Sequence, residues 1–520
     1  MQTINFSVNS ILKKGWFLHP ILFATTPVLF LFSHNIAETP FQDIFFPAAV
    51  SLALGLIGIV LLFSILKNIW KASVLTSLGL MLFFSYGHFF RVIRGLRIGR
   101  VIVGRYAVTL PFYMLIFIAC AIVIIKINKS IYRFTQILNI SGIVFLLTIL
   151  INIVIYSVGT INPKQVKIDF QDPNALNLAQ SKKPDIYYII LDGYSRQDVL
   201  QEYYSFDNSD FINYLKGNGF IVTDKSNCNY SLTFLSLASS LNMTYFNSLY
   251  SADPKRKNDR SVVHSMIHNN IVVRTLKAIG YKIINFSSGW GPTNFLLKAD
   301  CNYSRSLWNE FTMMVVETSM FSIIYKKLYF FKMKKEILST LDQLSSVDNM
   351  KEPRFVLAHI VCPHPPFFFD QNGNPVATIE PNPGSSDWLN KSGYVNQLLF
   401  INNRIKNIIK SLLNRERKPI IVLQADHGSA SSLYVVGSSH WKIPDNKSLR
   451  ERVPILNAIY FPAQHDPLPN IPNSISPVNT FRYIFNCEFG TNYEILPDKS
   501  FFSSYDNPYK FLDVTSIVSE

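Results

Sequence analysis

The first third of the chain is written in apolar blocks separated by short polar connections. Trp16 to Ala37 and Ile44 to Leu66 contain no Lys, Arg, Asp or Glu, and Ala72–Phe90, Tyr106–Ile125 and Phe134–Tyr156 are of the same kind. A membrane span needs about 20 predominantly apolar residues, so the pattern predicts five transmembrane helices. A single run of this kind reads equally as a buried core helix, but five in succession do not. The first run is too long for a cleaved signal peptide and has no small-residue cleavage site.

The pattern then changes. Ser157 to Lys183 is polar and holds Pro163 and Pro173, as a linker would. The expected division is a membrane domain over 1–160, a linker over 161–183 and an α/β domain over 184–520. In the last part, Ile186–Leu191 is a continuous run of β-branched, aromatic and aliphatic residues, the composition of a strand buried on both faces. Further strands are expected at FIVTD from Phe220, YKIINFSS from Tyr281, RFVLAHIV from Arg354, PIIVLQADHG from Pro419 and VPILNAIYFP from Val453. Helical spacing lies between them, near 208–216, over Val262–Ala278 with Gly280 as a stop, and over Tyr394–Asn414. Strands alternating with helices predict a mostly parallel sheet.

Charge adds orientation. The formal net charge is +15, which suits contact with acidic membrane surfaces. Lys13 and Lys14 precede the first span, Lys67 and Lys71 lie between the second and third, and Lys126, Lys129 and Arg133 lie between the fourth and fifth. By the positive-inside rule the N-terminus is cytoplasmic, and residues beyond about 160 lie outside after five crossings. Arg91, Arg94, Arg97, Arg100 and Arg105 fall on the predicted outer side and oppose this reading. They read either as a grip on anionic lipid headgroups or as a solvated helical segment with Arg every third residue. No zinc-finger spacing, RNP-like motif or basic stripe with aromatics points to nucleic acid. Cys228, Cys301, Cys362 and Cys487 allow two bridges in three connectivities, with Cys120 in the fourth span. A structural zinc site is not expected without Cys-x-x-Cys.

In parallel α/β sheets ligands bind outside the carboxyl ends of the strands. Asp192 ends the first strand, Asp426-His427 end PIIVLQA, His364 follows RFVLAHIV, and His440 comes soon after in SSHWKIP. Carboxylate oxygen and imidazole nitrogen form a ligand set for zinc or manganese. Each has a plain alternative: Asp192-Gly193 and Asp426-His427-Gly428 as turns, His364 as a solvated loop residue. His359, inside its strand, reads as a core histidine. Between the two aspartates lies NYSLTFLSLASSLN, residues 229–242, where Thr233 is a plausible helix N-cap.

PDIYYIILDG, NYSLTFLSLASSLN and QADHG, in that order, resemble the sulfatase-like branch of the alkaline phosphatase superfamily. Five spans before an outer catalytic domain are similar to its membrane-anchored members, the lipoteichoic acid synthases and lipid A phosphoethanolamine transferases. ISPVNTFRYIF, Ile475 to Phe485, also looks like a run such members carry near their end. The resemblance implies an enzyme with a divalent metal, zinc or manganese, held by Asp192, Thr233, Asp426 and His427. Thr233 would be the nucleophile, with Ser231 as fallback, and His364 and His440 would act on the substrate. The implied reaction moves a phospho-substituent such as phosphoethanolamine or phosphoglycerol from a membrane phospholipid to a surface glycan or lipid; the alternative is ester hydrolysis with water as acceptor. Departures are visible. Thr-Phe-Leu-Ser-Leu stands where sulfatases carry a formylglycine motif, Asp192 stands where the transferases usually have Glu, and Pro-His-Pro-Pro surrounds His364 in place of Asn-His-Gly-Pro.

Overall fold

The computed structural model describes residues 17–127, 131–158, 183–247, 258–303, 306–347, 352–376, 385–434, 441, 443–462 and 470–519. The chain forms two compact units: Met1–Thr160 with Leu307–Tyr329, and Ile161–Ser306 with Phe330–Glu520.

The first unit contains α1 (His19–His34), α2 (Phe45–Leu66), α3 (Ile69–Ile93), α4 (Tyr106–Lys126) and α5 (Ile131–Val158). Among the described residues, four helical segments are long and apolar enough to cross a membrane: Phe41–Leu66, Ile69–Ile93, Tyr106–Lys126 and Ile131–Val158. The first expected span is present as α1 but has 16 helical residues. It stops where Asn35 Nδ2 donates to Leu31 O at 2.8 Å, engaging a carbonyl of the last turn. The α2–α3 break is equally local. Lys67 takes a left-handed φ of 50°, and Asn68 Oδ1 accepts from Trp70 N and Lys71 N at 3.1 and 3.2 Å as the N-cap of α3. The arginine loop is not a helical segment throughout: beyond Ile93 it turns into a small hairpin of β1 (Arg97–Ile98) and β2 (Val101–Ile102), with all five arginines exposed.

A later stretch of chain returns to this unit, which the division at 160 did not include. Phe311, in the helix Glu310–Thr318, meets Phe32 edge-on at 6.2 Å. Met320 N donates to Phe83 O at 2.9 Å, and Tyr106 OH donates to Ser322 O at 3.1 Å.

The second unit is built on a seven-stranded sheet, as the alternating pattern predicted. Its strands are β3 (Ile186–Leu191), β4 (Ile221–Val222), β5 (Lys282–Phe286), β6 (Cys301–Tyr303), β7 (Arg354–Ile360), β8 (Ile420–Gln424) and β9 (Asn457–Tyr460). The order is β4-β9-β8-β3-β7-β5-β6; β9 pairs antiparallel with both β8 and β4, and the other pairs are parallel. All six residues of β3 are buried, which is why neither of its faces carries a charge. A separate hairpin joins β10 (Phe501–Ser504) to β11 (Asn507–Asp513).

The second unit also contains α6 (Thr233–Asn242), α7 (Ser261–His268), α8 (Ile271–Ala278), the part of α9 (Ser322–Gln343) from Phe330 on, and α10 (Lys391–Leu413). The helix expected over 262–278 is divided because Asn270 Oδ1 accepts from Val273 N at 2.8 Å and starts a new one. The face of α10 predicted from spacing, Leu398, Ile401, Ile405, Ile408 and Leu412, is buried.

At the sheet end opposite Asp192, Asp185 joins three strands. Its Oδ1 accepts from Arg354 N at 3.0 Å, its Oδ2 from Arg354 Nε at 3.1 Å and from Nη2, and Arg417 Nη2 completes the cluster. Asp185 and Arg354 are 1% and 2% exposed, so removing one partner strands a buried charge. Asp185→Ala is expected to destabilise the second unit by about 3–5 kcal/mol in a denaturant titration. A loss below about 1 kcal/mol, the range of a surface pair, would contradict that role.

Candidate active site and metal centre

Three neighbouring strands deliver the polar groups. Asp192 follows β3, Asp426 and His427 follow β8 after Ala425, and His364 lies four residues beyond β7. The turn after Asp192 needs a glycine: Gly193 has φ of 74°, and an added Cβ would lie 3.0 Å from the Trp388 ring. Gly193 N donates to Asp426 Oδ1 at 3.1 Å, and His364 N donates to Asp192 O at 3.0 Å, so the loops fix one another.

Thr233 opens α6 but is not its cap. The N-cap is Leu232, extended, whose carbonyl accepts from Leu235 N and Ser236 N at 3.1 and 3.0 Å. The Thr233 hydroxyl instead lies 3.0 Å from His427 Nε2. Ser236 Oγ donates to Asp426 O at 2.7 Å and ties the helix to the same loop. Ser231 is placed differently: its Oγ donates to Ser503 O and accepts from Ser503 N, both at 3.2 Å.

The protons of two imidazoles are set by their own loops. His427 Nδ1 lies 2.9 Å from Gly428 O and His364 Nδ1 2.5 Å from Pro365 O. A carbonyl only accepts, so Nδ1 carries the proton and Nε2 presents a lone pair. The His427 lone pair faces Asp426 Oδ2 at 3.2 Å and Asp192 Oδ1 at 3.5 Å. Both carboxylate oxygens are buried and make no hydrogen bond. Three acceptors converge with no donor among them.

Titration follows from this crowding. Burial pushes His364 and His427 below the ordinary imidazole value, and the Arg452 guanidinium adds to both. Burial, then the Asp192 charge, pushes the Asp426 carboxyl up. Burial alone would raise Asp192 too, but His364, His359 and His427 hold it below the ordinary carboxylate range. Donor atoms of Asp192, His364 and His427 lie within 4.8 Å of one another, and so do those of Asp192, His359 and Asp426. A divalent cation fits this set: it would satisfy the converging lone pairs and neutralise two buried carboxylates. Among the predicted residues, Asp192, Thr233, His364, Asp426 and His427 meet here, whereas His440 lies outside the described residues.

A sulfatase family model matches residues 184–456, more than half of the chain. The chain belongs to the sulfatase family. The resemblance read from the three motifs is thereby borne out, and the chain is an enzyme. No curated protein matches its sequence. Among solved structures, this sulfatase-family chain is similar to the integral membrane lipooligosaccharide phosphoethanolamine transferase A of Neisseria meningitidis, with 12% identity, TM-score 0.41, and 90% of this chain and 95% of that one covered. It is also similar to the C-terminal periplasmic domain of EcEptC from Escherichia coli in complex with Zn (11%, TM-score 0.43, 65% and 95% covered). A third similar structure is that of BT1596, a 2-O GAG sulfatase (12%, TM-score 0.37, 62% and 73% covered).

Sequence reading passed over three residues of this sulfatase-family site. His359, read as a core histidine, is indeed buried in β7, but its Nε2 lies 3.3 Å from Asp192 Oδ2. Arg452 is buried and staples two loops: Nε and Nη2 donate to Ser231 O at 3.0 and 2.8 Å, and Nη1 donates to Gly428 O at 2.9 Å. Glu451 accepts from Tyr204 OH, Ser429 Oγ, Ser431 N and Ser432 N at 2.6–3.0 Å, and so holds the chain just after His427. All five cysteines are free, so none of the three connectivities forms.

Cation binding should be measurable as stability. Zinc or manganese at about 100 times its Kd is expected to stabilise the purified protein by about 2.7 kcal/mol, with reversal by a chelator in a thermal-shift assay. Asp426→Asn is expected to lose that increment. An unchanged melting temperature in wild type across the titration would contradict a cation site here.

Proposed function

We propose that this enzyme transfers a phospho-substituent, such as phosphoethanolamine or phosphoglycerol, from a membrane phospholipid to a surface glycan or lipid through a covalent intermediate on Thr233. The observation that carries the reading is the Thr233 hydroxyl, 3.0 Å from the His427 lone pair and beside two buried carboxylates. The formylglycine route of sulfatases starts from Cys or Ser, and a threonine at that position keeps its hydroxyl and forms a simple phosphoester.

Asp192, Asp426, His427 and Thr233 would hold the cation, with zinc or manganese suited to two carboxylates and an imidazole nitrogen. A bound cation supplies positive charge that makes the threonine hydroxyl more acidic and draws in the anionic phosphate. The Thr233 hydroxyl lies 3.0 Å from His427 Nε2, and around a cation both groups would turn that short contact into neighbouring ligand positions. In the first step a Thr233 Oγ1–P bond forms and the P–O bond to the lipid alcohol breaks, with the proton passing to the departing oxygen. The acceptor hydroxyl then attacks phosphorus, Oγ1 leaves and recovers a proton. His364, with Nδ1 tied to Pro365 O, offers its Nε2 lone pair to the proton of the acceptor hydroxyl, and His440 is proposed to act on the substrate beside it. The apolar helices would keep a lipid-linked donor near the membrane, and five crossings from a cytoplasmic N-terminus would put the catalytic part outside the cytoplasm.

The test is mass spectrometry of the peptide containing Thr233 after incubation of the full chain with defined phospholipids. A phosphoethanolamine or phosphoglycerol adduct on Thr233 is expected, and Thr233→Ala should lose both the adduct and turnover by at least about 10³-fold. Turnover by Thr233→Ala at the wild-type rate would overturn the nucleophile. Release of the group to water, with no labelled surface acceptor, would favour hydrolysis.

A further inference from the structure

Three glycines build the hairpin between α3 and α4. Gly99, with φ of 58°, takes the first position of the two-residue turn between the paired Ile98 and Val101, where a II′ turn needs glycine. Gly95 has φ of 78°, and Gly104 closes the neck: its N donates to Leu96 O at 3.2 Å and its O accepts from Gly95 N at 3.4 Å. A Cβ on Gly104 would lie 2.0 Å from Ile93 O. The neck is therefore folded tightly onto the end of α3, while β1 and β2 form a two-stranded sheet of their own. A two-stranded hairpin alone is marginal in water, so this one needs a surface to lie on.

Its side chains indicate which surface. Leu96 and Ile98 are 50% and 67% exposed. Arg97 and Ile98 are neighbours on β1 and face opposite ways. Arg91, at the end of α3, pairs with Glu317 at 3.3 Å. Among the described residues no carboxylate pairs with Arg97, Arg100 or Arg105. No Asp or Glu occurs between Asp43 and Asp169, so this part of the chain supplies no counter-charge of its own.

The flanking helices fix the depth. α3 and α4 are each long and apolar enough to cross a membrane, and they end at Ile93 and begin at Tyr106. The Tyr106 and Phe90 rings stack at 3.9 Å below the hairpin, with Tyr86 stacked against both. Such aromatics gather where a bilayer meets water. From neck to tip, Gly95 to Gly99, an extended chain reaches ~13 Å. The headgroup zone is about 5–8 Å deep on each face of a bilayer. Standing upright, the hairpin would hold Ile98 in water beyond the headgroups. Lying flat, it brings Leu96 and Ile98 within reach of the acyl boundary and keeps the arginines at the depth of the phosphates.

We propose that the hairpin 95–104 is an interfacial anchor that binds anionic phospholipid headgroups of the membrane crossed by α3 and α4. A guanidinium can hold a phosphate through two parallel N–H donors, and the aliphatic side chains bury beside those contacts. The anchor rests on α3 and α4 as membrane spans and not on the transfer reaction.

The experiment uses the full chain in vesicles of equal parts phosphatidylcholine and phosphatidylglycerol. A photoreactive benzoylphenylalanine replaces Ile98 or, as reference, Ile57, which is 55% exposed midway along α2. Mass spectrometry counts the lipids that each position captures. Position 57 is expected to take both lipids in their bulk ratio. Position 98 is expected to take phospholipid with phosphatidylglycerol enriched about fivefold, the discrimination that one charge contact supplies. Arg97→Gln, Arg100→Gln and Arg105→Gln together should return the ratio at 98 to that at 57. High salt on the chain with its arginines intact should do the same, and that arm stands even if the triple variant fails to fold. Lipid at 57 with none at 98, lipid at 98 in the bulk ratio, capture of a protein chain at 98, or enrichment that survives high salt would each overturn the proposal. Capture at neither position would overturn it at its base, the reading of these helices as spans, and would leave the transfer reaction to its own test.

Discussion

Two buried carboxylates beside an imidazole lone pair repel one another, and three adjacent strands of the sheet end where that repulsion is concentrated. Asp192 Oδ1, Asp426 Oδ2 and His427 Nε2 face one another with no donor between them. Leaving such charges unpaired in a low-dielectric interior costs several kcal/mol. The sheet therefore carries a local penalty that a divalent cation would turn into binding energy. The nucleophile assignment depends on the same point, because the Thr233 hydroxyl is set 3.0 Å from His427 Nε2, at the centre of that cluster.

Much of the surrounding structure keeps that arrangement from relaxing. Arg452 binds the carbonyls of Ser231 and Gly428 and so spans the loop before Thr233 and the loop after His427. Ser236 holds α6 to Asp426, and Gly193 N holds Asp426 to the turn after Asp192. Glu451 takes four donors, which makes a buried carboxylate tolerable and stiffens the segment from Ser429 to Ser432. At the far end of the sheet, Asp185 and Arg354 hold β3, β7 and β8 in register, so the three strand ends that carry the site stay level. Preorganisation of this kind is what allows charge to act on a reacting phosphate without reorganising first.

The strands were legible because buried parallel strands are written as nearly unbroken apolar runs, and the candidate site residues were legible where charged or imidazole side chains follow the ends of those runs. Asp192 and Asp426-His427 stand out for that reason. His359 did not, because it lies inside an apolar strand, where a histidine is usually a satisfied core residue. Arg452 and Glu451 were hidden in a charged stretch, RERVP, that looks solvated; nothing local tells a buried Arg from an exposed one. The split at Asn270 was missed because the apolar spacing runs on through both helices. The return of Leu307–Tyr329 to the first unit is a tertiary fact with no sequence period to announce it. The first apolar run was counted as a span by its composition, while the helix within it ends where Asn35 caps it.

The most direct measurement is anomalous X-ray scattering from crystals of the full chain loaded with zinc, and separately with manganese. The expected result is an ion peak bounded by Asp192 Oδ1, Asp426 Oδ2, His427 Nε2 and the Thr233 hydroxyl. A loaded crystal with no ion among these atoms, or with the Thr233 hydroxyl turned away from it, would contradict the central claim.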